Sequence, residues 1–195
     1  GRIAGTGSGG AGEPACGPGY SNLAVAATSQ SVTGLTSETT YYYRVRAEGA
    51  GSCASANSTT ANVTTVAGTP YVALADNGTQ VAAGSVIAGT DNHVLHQFQL
   101  TATNAAATLT GVSFTSAGAA ADLDNFKVWY SANATLETGS DTLLGTISSG
   151  LGSGAHSLSL LTQGIAKNAT GYVFITADVA AGATPGNTIS VSAVA

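Results

Sequence analysis

The chain has 195 residues, room for one large or two small β domains. Only 8% of its residues are charged, against about 25% in an average domain. Its net charge is −5, and the few cations (Arg2, Arg44, Arg46, Lys127 and Lys167) are scattered. They cannot line a basic groove, which argues against nucleic acid as a partner.

Apolar residues make up 44% of the chain, enough for packed cores. The surface must then be Ser, Thr, Asn, Gly and Ala. A coat this neutral suits a surface buried by neighbours or covered by glycan, since a lone domain uses mixed charge to stay apart. The plain alternative is a secreted β protein with a low-charge coat. No apolar run reaches the roughly 18 residues of a bilayer span, and no signal peptide opens the chain. A segment of a secreted, extracellular, cell-surface protein is expected.

Residues 1–19 are Gly-rich and carry the composition of a flexible segment set apart from the first domain. Gly5, Gly7, Gly9 and Gly10 are isolated turn glycines with no strand–turn–helix context for a nucleotide loop. Cys16 and Cys53 stand in no Cys-x-x-Cys pair, and no histidines lie at zinc spacing around them. A disulfide between them is expected in an oxidising compartment, with two free thiols as the alternative.

The first domain is expected over 20–67. Leu23 and Val25, then Ser29 to Val32, mark two short strands. From Tyr41 the chain alternates: Tyr41, Tyr43, Val45 and Ala47 share one face, and Tyr42, Arg44 and Arg46 the other. A loop follows over 48–60, and 61–66 closes the domain as a strand. Residues 68–70, Gly-Thr-Pro, form a short linker.

Residues 71–195 read as a second all-β domain. Strands are expected at 71–75, 80–88, 93–103, 108–115, 124–131, 142–148, 155–161, 171–178 and 187–194. Gly, Asn and Asp fill the turns between them, a spacing that indicates an antiparallel sandwich.

Leu35, Ser37, Thr39, Tyr41, Tyr43, Val45 and Ala47 fall on the pattern Leu-x-Pro-x-Thr-x-Tyr-x-Val-x-Val-x-Ala. The stretch resembles the E–F corner and F strand of a fibronectin type III module, with Ser37 in place of proline and Tyr43 in place of an aliphatic residue. The resemblance implies that Tyr41 is a corner tyrosine whose hydroxyl bonds backbone a few residues upstream. It also implies three further strands ahead of this point, where only the Gly-rich segment is available. The first domain is therefore expected to be an incomplete sandwich, with Tyr41, Tyr43 and Val45 as a face awaiting cover. In the second domain, Gly171–Ala180, Gly186–Ile189 and Asp124–Tyr130 resemble immunoglobulin-like sandwich repeats of secreted bacterial multidomain proteins.

No nucleophile elbow or other catalytic signature appears, so an enzyme is not expected. His93 and His96 face opposite sides of one strand, and His156 stands alone, so each reads as structural. Asp122, Asp124 and Asn125, with Asp91 or Asp141, are calcium candidates, although turns explain the same residues. No other cofactor is expected. Trp129 and Tyr130, with Tyr42, could stack on sugar or pack against a neighbour. Asn57, Asn62, Asn77, Asn133 and Asn168 begin Asn-x-Ser/Thr sequons. Asp141-Thr142-Leu143 resembles an O-glycosylation motif of bacterial secreted proteins, which would place glycan on Thr142.

These readings converge on a structural subunit of a bacterial surface filament or adhesin stalk. It would assemble head to tail with copies of itself, by strand complementation of the incomplete first domain. The alternative is a non-catalytic accessory module that binds glycan or a cell surface through Trp129 and Tyr130.

Overall fold

The computed structural model describes residues 2–6, 23–25, 27–47, 55–77, 80–192 and 194. Cys16 and Cys53, and with them the expected disulfide, lie outside the described residues, and nothing further is drawn from them. The chain divides into two compact units, Gly1–Thr69 and Pro70–Ala195. Both are antiparallel β structure, as the alternating patterns predict.

Among its described residues, the first unit holds one four-stranded sheet, made of β1 (Arg2–Thr6), β2 (Leu23–Ala24), β3 (Thr40–Arg46) and β4 (Ala61–Thr64) in the order β2-β1-β3-β4. The Gly-rich start, expected to stand apart, supplies β1 beside β3, with Gly5 opposite Tyr43. Glycine contributes backbone to the ladder but no side chain, so no alternation betrayed this strand in the sequence. Residues 29–32, expected as a strand, form none.

The second unit is a sandwich of two sheets. Its strands are β5 (Tyr71–Asp76), β6 (His93–Thr103), β7 (Ala107–Ala117), β8 (Leu123–Ser131), β9 (Thr142–Ile147), β10 (Gly154–Ile165), β11 (Thr170–Val179) and β12 (Ser190–Ser192). Five strands run β5-β6-β11-β8-β9, and three run β10-β7-β12. Between the sheets lies one core: Phe98 of β6, Val112 and Phe114 of β7, Leu123, Phe126 and Val128 of β8, and Val173, Ile175 and Ala177 of β11, closed by Leu151. Phe114 meets Phe126 edge-on, with centroids 5.4 Å apart. His156 packs on both rings, and its Nε2 lies 2.8 Å from the Ser116 hydroxyl. It is a core histidine with a partner, as expected of it.

Bulges tune which side chains face inward. A register shift in β6 places Leu95 against the core beside Phe98. Another in β10, where Leu160 takes a positive φ of 60° and stands exposed, turns Leu161 inward.

One strand expected in the second unit is also missing. Residues 81–87 form no strand, although 80–88 reads as one. The Gln80 side chain takes the strand's place at β6. Its amide donates to the Gln97 carbonyl at 2.6 Å and accepts from the Gln97 N–H at 3.1 Å. One side-chain amide thus satisfies the backbone groups that a longer strand would have paired.

The central strand β11 is buried on its outer face too, at Phe174, Thr176 and Asp178. Trp129 lies beside Phe174 there, and its indole N–H donates to Thr176 Oγ1 at 3.2 Å. The Lys127 ammonium meets Asp178 at 2.6 Å. Asn92, at a φ of 55°, gives its backbone N–H to the same carboxylate, and Asn125 gives its side-chain amide.

Candidate functional site

The candidate site is the face of the first unit's sheet that carries Tyr41, Tyr43 and Val45. The corner before β3 fixes it. The Tyr41 hydroxyl accepts the Thr36 N–H at 2.9 Å, five residues upstream, the bond that the resemblance implied. Thr65 bolts the corner from the other side. Its hydroxyl donates to the Thr36 carbonyl at 2.6 Å and accepts the Thr39 N–H at 3.0 Å.

Register then sets the composition of the face. Tyr41 pairs with Val63 and Tyr43 with Ala61, so these side chains lie together. Past Ala61, serines continue the ladder. Ser58 accepts the Val45 N–H on its hydroxyl at 3.0 Å and returns its own N–H to the Val45 carbonyl at 2.8 Å. Ser55 does the same for Ala47. The Thr- and Ser-rich run 55–65 is therefore a hydrogen-bonding edge for β3. On the opposite face, Thr40 and Thr64 join hydroxyls at 2.8 Å, and Arg44 Nε donates to Thr60 Oγ1 at 2.7 Å.

This face has no interior. Among the first unit's residues whose side chains are described, 25, 27–47 and 55–69, none is buried, and no second sheet lies over the first among its described residues. Val45 is 50% exposed and Val63 51%. Tyr41 and Tyr43 are half-buried, and the polar face is half-covered or exposed as well. An apolar face that aromatic and β-branched residues would normally close is left open to a further layer.

The remaining candidates are placed as follows. Trp129 and Tyr130 point to opposite faces of β8, so they form no shared platform. Trp129 is only 7% exposed on the outer face, while Tyr130 packs against the core. Gly171 explains the lie of Tyr130, since a β-carbon there would collide with its ring. The phenol crosses the backbone of β11 instead of standing out, and burial pushes its pKa up.

Asp122, Asp124 and Asn125 are not brought together. Asp122 accepts the Thr184 N–H at 2.8 Å and the Asn187 amide at 2.6 Å, which hold its carboxyl below the usual range. It pins the 184–187 turn. Asn125 is spent on Asp178, and Asp124 is exposed. No group of three or more His, Cys, Asp or Glu suited to a metal occurs among the described residues.

Thr142 opens β9 and is exposed, opposite Tyr130 in register. Of the sequons, Asn77 is buried and donates to the Ala134 carbonyl. Asn168 accepts the Asn104 N–H.

Sequence reasoning missed the Lys127–Asp178 pair. An aspartate inside the apolar run Val173–Val179 was the available signal, since a carboxylate there demands a partner. It also missed the exposure of β5, which reads as an ordinary apolar strand.

No family model, curated protein or solved structure matches this chain.

Proposed function

We propose that the chain is an extracellular structural subunit of a bacterial surface filament or adhesin stalk. Its first unit resembles the later half of a fibronectin type III module, and the second an immunoglobulin-like sandwich. Copies join head to tail when polypeptide from a neighbour covers the face of Tyr41, Tyr43 and Val45. One observation carries this reading: a four-stranded sheet with an apolar face on which no side chain of β3 or β4 is buried. The Tyr41–Thr36 bond supports the resemblance to the fibronectin corner. The low charge of the chain supports close lateral contact between subunits, because few ions need be desolvated.

The alternative of a glycan-binding accessory module loses its support, since Trp129 is buried and Tyr130 faces the other way. The test is sedimentation and negative-stain microscopy of the purified chain and of Val45→Lys. Polymers that lengthen with concentration, lost in the variant, support the proposal. Discrete single particles of the unaltered chain at every concentration sink it.

A further inference from the structure

The second unit's two sheets differ in width. The three-stranded sheet places β10 beside β9 and β12 beside β6. The β5 edge of the five-stranded sheet therefore overhangs it. Every residue of β5 is exposed, including Tyr71, Val72 and Leu74, the last at 56%. Natural edge strands are blunted by charge, proline or a bulge. Within β5 the sole charge is Asp76, at its end, and its register with β6 is unbroken.

The direction of the open hydrogen-bonding groups follows from β6. The Ala102 N–H bonds the Ala169 carbonyl on the β11 side, and the Gln97 backbone bonds Gln80 on the β5 side. Odd-numbered residues of this stretch thus face β5. Their partners Tyr71, Ala73 and Ala75 bond inward. Val72, Leu74 and Asp76 present their amides and carbonyls outward.

We propose that this edge pairs with the same edge of a second copy, antiparallel about a two-fold axis through Leu74. In that register Leu74 meets Leu74, and Val72 meets Asp76 on either side. Every open amide and carbonyl of the three residues gains a partner. The two carboxylates sit at opposite ends of the seam, so no like charges meet. Shifting the axis to Ala73 would set Asp76 against Pro70, which has no N–H to give. The same register brings the two exposed leucine side chains together on the overhanging face, as a C2 interface requires. This contact is independent of the first unit's sheet.

The test is mild oxidation of full-length Leu74→Cys, with peptide mapping by mass spectrometry. Leu74 faces its own copy at hydrogen-bonded spacing, about 5.5 Å between α-carbons, so a 74–74 disulfide is expected. Ala73→Cys, turned to the other face and off the axis, is expected to link far less. Leu74→Lys places two ammonium groups across the axis and is expected to raise the dimer dissociation constant by about tenfold or more in sedimentation. A second chain carrying Leu74→Cys with Val45→Lys separates the two interfaces, because the 74–74 link is expected to survive there even where polymers are lost. Equal linking at 73 and 74, or sedimentation of Leu74→Lys identical to that of the unaltered chain, overturns the proposal.

Discussion

Strand β11 of the second unit is buried on both faces, whereas strand β3 of the first is buried on neither. Both are aromatic- and β-branched-rich interior strands of antiparallel sheets. The difference lies in what is stacked on them. Val173, Phe174 and Ile175 each gain about 1.5–3 kcal/mol from removal from water, and their sheet is held by packing. Tyr41, Tyr43 and Val45 gain part of that at most. Their sheet rests on its ladder and on the hydroxyls of Ser55, Ser58 and Thr65, each bond worth about 0.5–1.5 kcal/mol net. A closed unit and an open one respond differently to the same kind of substitution.

The largest effect is expected in the closed unit. Phe126→Ala removes a fully buried ring that packs against both Phe114 and His156 and should cost about 3–5 kcal/mol in denaturant unfolding. Tyr43→Ala in the open unit should cost clearly less, and equal losses would break the contrast.

Next comes Asp178→Ala, which takes the counter-charge from the Lys127 ammonium on a largely buried face, leaving it the Asn92 side-chain oxygen, and should cost about 3 kcal/mol. The pair also fixes a pH dependence. Burial raises the Asp178 carboxyl, but the Lys127 ammonium and the Asn92 and Asn125 donors outweigh it and hold it below the usual range. A depressed carboxylate contributes stability that is present above the unfolded value and lost as pH falls through the folded one. The melting temperature of the second unit should therefore be flat near neutrality and fall below about pH 4. Asp178→Asn should flatten that fall.

Gly171→Ala forces the Tyr130 ring aside and should cost about 1–3 kcal/mol, recovered in part by pairing it with Tyr130→Ser. The smallest effect is Tyr41→Phe, which leaves the Thr36 N–H without its partner for about 1 kcal/mol. Thermal unfolding of the first unit, followed through its tyrosine signal, checks this.

These contrasts track what the sequence could and could not reveal. Alternation in Tyr41–Ala47, Phe126–Tyr130 and Val173–Ala177 disclosed strands, because successive side chains of a strand point to opposite faces. The corner bond of Tyr41 was legible only through the resemblance to the fibronectin type III corner. Strand β1 was not, because pairing through backbone leaves no side-chain pattern. Nor was the loss of a strand at 81–87, since the Gln80 amide that replaces it is one polar residue among many. Trp129 and Tyr130 looked like a candidate platform because both are aromatic. Their placement depends on Thr176 accepting the indole N–H and on Gly171 leaving room for the phenol, contacts that cross between strands far apart in sequence.

The account rests most on the open face of the first sheet being closed by another molecule. Oxidative footprinting of the full chain, dilute and concentrated, reads this directly, with Tyr42 on the opposite face as the internal reference. Rising protection of Tyr43 and Val45, with Tyr42 unchanged, is the predicted result. Labelling of Tyr43 and Val45 that stays constant across the whole concentration range would contradict it.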